Sequence, residues 1–239
     1  MADAATQTEK KDALLSQGAH EVRNAISVIL GYGRMLSSER LGPVTDSQRK
    51  AAVEIVNSAA KLKILADEMS QLSRLLAGGT TFVRTRVDLA PLIEAEIPSV
   101  PEALDGNIGI RVIDDAPSAA VSGDATLLRQ ALNAVMFAQR RELLTTNELC
   151  VAIDRVAGGD QPTIRVTISG GDRLAEVRRL PPSQLEPLVE VRGGVGFKLS
   201  IARHVIECHG GRSLSKTEPG GTRDAQPTLV GAVVILPEG

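Results

Sequence analysis

Apolar residues recur at helical spacing through the first third of the chain. From residue 22 they advance in alternate steps of four and three, which places them on one face of a helix. These positions are Val22, Ile26, Ile29, Gly33 and Leu36. The pattern predicts a first long helix that ends near Leu41-Gly42-Pro43, where glycine and proline interrupt it.

A second helix is predicted to begin just after this break. Thr45 has the character of an N-cap, and Asp46 lies in the first turn, where the helix dipole favours negative charge. The apolar positions of this helix are Leu62, Leu65, Met69, Leu72 and Leu76, and Gly78-Gly79 ends it. Two long helices with a short connection predict an antiparallel helical hairpin. One hairpin offers too little surface to cover both apolar faces, so we expect a homodimer that forms a four-helix bundle.

The pattern changes from residue 87 onward to short mixed segments. Alternating or continuous apolar runs predict strands at 108–113, 119–121, 149–156, 163–168 and 229–236. Helical segments are predicted at 87–97, 126–142 and 197–208, the last closed by Gly210-Gly211. The chain is therefore expected to be α+β, with a helical hairpin at 1–79 and a two-layer α/β sandwich at 80–239.

Composition and charge exclude several functions. The net charge is −2, and the 239 residues include one Tyr, three Phe and no Trp. Such a chain lacks the basic field and the stacking rings of a nucleic-acid-binding surface. Cys150 and Cys208 form no CxxC pair, which favours a reducing compartment and predicts no metal site. With no run of about 18 apolar residues, we expect a cytoplasmic protein without membrane insertion.

His20 is the first candidate for chemistry. It precedes Val22 by two residues, about 200° around the helix, so it is predicted to point away from the apolar stripe. An imidazole held in solvent on a rigid helix can attack a phosphoryl group. Glu21 is placed to accept the proton of the other ring nitrogen, and Asn24, one turn on, to position a water. The plain alternative is an ordinary surface histidine on an amphipathic helix.

The face of this helix that carries His20 continues with small and polar residues. Asn24, Ser27, Gly31 and Arg34 follow at gaps of four, three, four and three. Small residues let another protein approach closely. The predicted partner-binding residues are Arg23, Ser27, Gly31 and Arg34.

The segment His20-Glu21-Val22-Arg23-Asn24 resembles the phosphoacceptor box of sensor histidine kinases. That box runs His-Glu-x-Arg-Thr/Asn and is usually followed by Pro, where this chain has Ala25. The likeness extends over nearly the whole chain, through segments 41–45, 72–75, 87–89, 123–124, 128–130 and 204–211. It implies a dimeric hairpin followed by an ATP-binding sandwich of the Bergerat (GHKL-like) type.

The resemblance also implies roles for the residues of the box. His20 would be the phosphorylated residue and Glu21 the general base, with response-regulator receiver domains as partners. Asn24 would match the residue that helps such proteins hydrolyse the aspartyl phosphate of the partner.

Three positions depart from the family pattern. An Asn that coordinates Mg²⁺ is replaced by Ala138, and an earlier family Asn by Ala134. The Asp that reads adenine should follow Ser169, where this chain has Gly170. Lys198 replaces the third glycine of the Gly194-Val195-Gly196 box, where a side chain would crowd a phosphate. Two arrangements would still allow nucleotide binding. The family positions could be shifted by one residue, so that Asn133 or Asp172 is used, or Lys198 could itself contact a phosphate.

The sequence thus predicts a histidine phosphotransfer protein of bacterial two-component signalling. His20 would relay a phosphoryl group between receiver aspartates without ATP, and Mg²⁺ would be needed only on the receiver. Two alternatives are an ATP-dependent histidine kinase with a divergent site, using ATP and Mg²⁺, and a non-catalytic dimeric adaptor. Nineteen residues precede His20, from which we expect no attached sensor domain. His204 and His209 lack a third ligand at suitable spacing and are predicted to be structural.

Overall fold

The fold is taken from a computed structural model, which describes residues 2–102, 108–143, 146–156, 161–189, 196–219 and 227–239. In the N-terminal stretch the side chains are described at Gly18 and from residue 21 onward. Contacts divide the chain into two compact units, Met1–Thr80 and Thr81–Gly239. The sequence prediction had placed this boundary after residue 79.

The first unit is a helical hairpin made of α1 (Ala2–Ser37) and α2 (Asp46–Leu76). The Thr45 N-cap is confirmed: its hydroxyl accepts from the Gln48 N–H, and the Gln48 side chain accepts in return from the Thr45 N–H. This reciprocal capping box satisfies two donors that the helix start would leave free. Gly78, at φ +68°, follows the C-cap residue Ala77.

The contact face between the two helices differs from the predicted apolar stripe. On α1 only Ile26 and Gly33 of that stripe are buried, together with Leu30. A Cβ on Gly33 would lie 2.7 Å from a methyl of Val56, so the helices need a glycine here to approach closely. Alanines at a seven-residue spacing cover the facing side of α2: Ala52, Ala59 and Ala66. We call this contact face the α1–α2 seam.

The larger apolar residues lie on a second face of the hairpin, exposed to solvent within one chain. Leu62 is 52% exposed and Leu76 is 60% exposed. The other members of this face, which we call the outer apolar stripe, are Val22, Ile29, Leu36, Ile55 and Leu65. The predicted stripe therefore combined two faces that the structure separates.

The second unit has eight strands and four helices among its described residues. The strands are β1 (Thr85–Asp88), β2 (Gly109–Asp114), β3 (Ala120–Gly123), β4 (Glu148–Val156), β5 (Thr163–Gly170), β6 (Glu186–Pro187), β7 (Arg212–Glu218) and β8 (Thr228–Pro237). The helices are α3 (Leu89–Glu96), α4 (Ala125–Glu142), α5 (Leu174–Arg179) and α6 (Lys198–Cys208). Short 3-10 turns occupy Ile97–Ser99 and Pro182–Gln184.

Six strands form one mixed sheet in the order β2-β4-β5-β8-β7-β6, and β1 pairs with β3 in a small second sheet. Only β2 and β4 run parallel; the other neighbours in the large sheet are antiparallel. Neighbours along β8 point to opposite faces. Leu236 of β8 and Ile206 of α6 both lie next to Gly211. Helix α4 packs on β8 and β5. This is the predicted sandwich of helices on a mixed sheet.

The other face of this sheet is covered by α5 and the segment that follows it. Val177 and Leu185 form one apolar cluster with Val233 and Ile235 of β8. A Cβ on Gly231 would lie 2.9 Å from both methyls of Val177. The sequence prediction contained no element at 174–189, and the structure adds this cover to the sandwich.

Candidate functional site

The backbone of His20 lies within α1, and its side chain lies outside the described part of the structure. The two residues predicted to assist it, Glu21 and Asn24, are both exposed. Their accessible positions are compatible with action on a phosphoryl group brought by another protein. Their catalytic roles stay predictions.

Three of the predicted partner contacts lie at the surface of α1. Ser27 and Arg34 are exposed, and the space beside Gly31 is open, with no atom within 4 Å of a Cβ placed there. The sequence prediction missed Val28 and Tyr32, which are 57% and 61% exposed. Exposed apolar side chains beside an open glycine form a surface on which another protein can pack.

Arg23 differs from the other predicted partner contacts because its side chain is directed at α2. Its Nε donates to Oδ1 of Asp67 at 2.7 Å, and its Nη2 donates to Oγ of Ser70 at 3.1 Å. Lys63 donates to the second Asp67 oxygen at 2.9 Å. The hydrogen bonds from Lys63 and Arg23 hold the pKa of Asp67 below its usual range.

In the second unit, α4 carries the positions where kinase-like proteins have magnesium ligands. Ala134 and Ala138 are 4% and 6% exposed, so their methyl groups are packed into the domain. Mg²⁺ takes oxygen ligands, which neither side chain supplies. Asn133, the alternative ligand, donates instead to Oε1 of Glu96 at 2.8 Å.

Gly170 ends β5 at the position of the adenine-reading carboxylate. A Cβ here would lie 2.7 Å from Oδ1 of Asp172, 2.8 Å from Thr146 and 3.1 Å from Leu143. The distances to Asp172 and Thr146 are shorter than real Cβ contacts, so a side chain at this position would require these side-chain ends to move. The carboxylate of Asp172 therefore lies beside Gly170, and Asp172 is exposed to solvent.

Lys198 begins α6, and its Nζ lies 5.7 Å from the ring centroid of Phe137. Arg141 stacks on the same ring at 5.6 Å. Gly196 adopts φ +68°, which suits a glycine, while Gly194 and Val195 lie outside the described residues. Ala138, Gly170 and Lys198 thus place a methyl group, no side chain and a lysine side chain where the family pattern has Asn, Asp and Gly.

His209 has a structural position, as predicted. It is 4% exposed, its Nε2 accepts from the Asp124 N–H at 2.9 Å, and its Nδ1 lies 2.7 Å from the Val205 carbonyl. Those contacts join the end of α6 to the start of α4. His204 lies 3.5 Å from the sulfur of Cys208. Among the described residues, no group of three or more His, Cys, Asp or Glu side chains is placed to hold a metal ion.

Comparison with known proteins gives the same architecture. Residues 10–78 match the family described as the His Kinase A (phospho-acceptor) domain. The chain is 25% identical to the sensor protein VanS of Enterococcus faecium, covering 95% of this chain and 61% of VanS. It is 30% identical to the sensor-like histidine kinase SenX3 of Mycobacterium tuberculosis, covering 90% of this chain and 53% of SenX3.

A structural match leads to the same fold. The crystal structure of full-length ShkA in complex with AMPPNP aligns with a TM-score of 0.66 and 20% identity, covering 95% of this chain and 45% of ShkA. The chain thus shares the fold of histidine kinase cores: a helical hairpin that matches the phosphoacceptor domain, followed by a GHKL-like α/β domain. Of the described helices, none is both long and apolar enough to cross a membrane.

Proposed function

We propose that this chain is a histidine phosphotransfer protein of two-component signalling that works without ATP. The observation that carries the proposal is Gly170, which supplies no carboxylate at the adenine-reading position and has the side chains of Asp172, Thr146 and Leu143 close around it. The buried methyl of Ala138 and the side chain of Lys198 support the same conclusion. The second unit would then act as a scaffold or docking surface in the cytoplasm.

In the proposed reaction, a ring nitrogen of His20 attacks the phosphorus of a receiver aspartyl phosphate. The new P–N bond forms as the P–O bond to the aspartate breaks, and the aspartate leaves as a carboxylate. Glu21 accepts the proton of the other ring nitrogen, which keeps the attacking nitrogen nucleophilic. The reverse reaction delivers the phosphoryl group to a second receiver, whose own Mg²⁺ neutralises the phosphoryl oxygens.

The protein would act as a homodimer, and receiver domains would dock on α1. Exposure of the outer apolar stripe supports the dimer, because a second hairpin that packs on it would complete a four-helix bundle. An apolar groove lined by Ile29, Ile55 and Leu62 continues this stripe. The receiver would contact Ser27, Gly31 and Arg34, and Asn24 would support phosphatase action by positioning a water.

An ATP-dependent histidine kinase is the second candidate. It is favoured by the identity to sensor-like kinases over 90% or more of this chain and by the fold shared with an AMPPNP-bound protein. Because the chain spans only 53–61% of VanS and SenX3, the activity of these relatives is itself only a proposal for this chain.

Nucleotide binding separates the two candidates. We expect no heat of binding with Mg²⁺-ATP in calorimetry and no label on the protein after incubation with radiolabelled ATP. Receiver domains charged with radiolabelled acetyl phosphate should transfer label to the wild type and not to a His20→Ala variant. Clear nucleotide binding with acid-labile label lost in His20→Ala would overturn the proposal in favour of the kinase.

A further inference from the structure

Four polar side chains fasten α1 to α2 just after His20. They are Arg23 on α1 and Lys63, Asp67 and Ser70 on α2, and we call them the polar clamp. Both oxygens of Asp67 are engaged, one by Arg23 at 2.7 Å and the other by Lys63 at 2.9 Å. Ser70 donates to the Ala66 carbonyl at 2.9 Å and accepts from Arg23 at 3.1 Å.

The polar clamp lies at the end of the stretch of seam in which Ile26, Leu30 and Gly33 face the small residues Ala52, Ala59 and Ala66. Arg23 continues the α1 positions Ile26, Leu30 and Gly33 in alternate steps of three and four, as Lys63 and Ser70 continue the alanines of α2. Small methyl groups allow the two helices to approach closely, but they offer little resistance when one helix slides along the other. A polar contact within such a seam specifies register. The polar clamp therefore fixes the rotation of α1 about its own axis and the position of α1 along α2.

The exposure of the clamp argues against a role mainly in stability. The Arg23 and Asp67 side chains are 30% and 44% exposed, and ion pairs at such positions contribute little to folding. A second ion pair across the hairpin joins Arg49 to Glu39, with side chains 42% and 41% exposed, at the end near the connecting loop. It offers a matched comparison far from His20.

We propose that Arg23 is a positioning residue for His20 and that it acts through Asp67 and Ser70. This inference rests on the proposed phosphotransfer function and revises the prediction that Arg23 contacts the partner. Arg23 lies three positions after His20, about 4.5 Å along the helix axis, so the clamp holds the turn of α1 that carries His20. In-line attack on phosphorus requires aligned reactants, and small misplacements lower the rate steeply.

The test compares phosphoryl transfer from acetyl-phosphate-charged receiver domains to the full-length wild type, Arg23→Ala, Asp67→Ala and the double variant. We expect each single variant to lower the rate at saturating receiver by about tenfold or more, with an unchanged half-saturating concentration. The double variant should lose no more than the single ones, because both remove one shared contact. The charge-exchanged variant, Arg23→Asp with Asp67→Arg, should recover part of the rate.

Arg49→Ala is the control and should keep the wild-type rate. If Asp67→Ala is harmless while Arg23→Ala raises the half-saturating concentration, Arg23 contacts the receiver and the inference is wrong. An equal loss of rate in Arg49→Ala would also overturn it, since any weakening of the hairpin would then suffice.

Amide hydrogen exchange of residues 18–24 tests the clamp independently of transfer. Exchange should become faster in Arg23→Ala and Asp67→Ala but not in Arg49→Ala. Unchanged exchange in all three would contradict the clamp. If the wild type accepts no phosphoryl group while these exchange differences are present, the proposed function fails and the positional role of Arg23 stands.

Discussion

At Gly170 the chain lacks the carboxylate that the family pattern places at the end of this strand. The space beside the Cα of Gly170 is not open, because a Cβ built there would lie 2.7 Å from the Asp172 carboxylate, 2.8 Å from Thr146 and 3.1 Å from Leu143. Restoring the family residue would thus meet steric and electrostatic opposition.

Gly170→Asp is expected to destabilise the protein and to confer no ATP binding. The new Cβ would overpack the site, which costs roughly 1–3 kcal/mol, and its charge would lie beside Asp172. Urea unfolding measures the stability and calorimetry with Mg²⁺-ATP measures the binding. Gly170→Ala should share the steric loss, whereas Gly109→Ala, whose Cβ would meet no atom closer than 4.0 Å, should change stability by only about 0.5 kcal/mol. Equal stability of the two alanine variants would contradict this explanation.

Among the elements, α5 has the most unusual anchoring. Arg165 of β5 is 6% exposed, and its guanidinium donates to the carbonyls of Val177 and Leu180 at 2.8 Å each. Burial lowers the pKa of Arg165, while the Asp154 carboxylate opposes that shift. Arg178 of α5 then pairs with Asp154 and, at 2.6 Å, with Asp115. A six-residue helix, which is too short to be stable alone, is thus held by two arginines.

Arg165→Met should release α5 from the sheet while preserving most of the buried volume. Hydrogen bonds from a charged donor are worth roughly 1.5–3 kcal/mol, so we expect a loss of about that size in urea unfolding. Amides of residues 174–180 should also exchange faster. Arg155→Met is a suitable control because Arg155 is exposed and pairs only at the surface with Glu238. Protection of 174–180 equal to that of the wild type would show that apolar packing alone holds α5.

The elements that sequence reasoning missed share a physical cause. In β7 the buried positions are Ser213 and Ser215, at 5% and 1% exposure, so the inward face carries no apolar signal. The helix α5 is shorter than two turns and ends in two arginines. It is therefore too short to show a helical period of apolar residues. By contrast, Thr45 and the apolar run of β8 carry local signals that do not depend on distant contacts. The alanine face of α2 was overlooked because large apolar residues dominate the pattern while small ones make the contact.

The candidate site was predictable only in part, because some of its features are local in sequence and others depend on contacts between distant residues. His20, Glu21 and Asn24 form a local motif, so their positions on α1 follow from the sequence alone. The contact between Arg23 and Asp67 joins residues on different helices and depends on a register that no local pattern reveals. The clash around Gly170 likewise involves Thr146, which is distant in sequence.

For the whole molecule, the outer apolar stripe decides the expected assembly. A contiguous apolar surface along both helices is unusual for a monomer and marks an interaction surface. A symmetric partner would cover the same residues on both chains.

Leu62→Glu is expected to shift the protein from dimer to monomer, because it places a charge in the outer apolar stripe. Sedimentation velocity or light scattering after size exclusion would measure the mass. Ile64→Glu is the matched control: Leu62 and Ile64 are each 52% exposed, but Ile64 lies on another side of α2. If both variants remain dimeric, or if the wild type is a monomer, the stripe is not the dimer interface.

The order of the strands has a consequence for how the protein is made. The strand β8 lies between β5 and β7 inside the sheet, yet it follows every other described strand along the chain. The sheet therefore stays open at its middle until β8 has left the ribosome, and the pairing of β8 with β5 joins segments far apart in the chain, which slows folding. The hairpin needs only contacts within the first 80 residues. During synthesis, the hairpin unit that carries His20 is expected to fold first, while the second unit cannot complete its sheet before β8 is made.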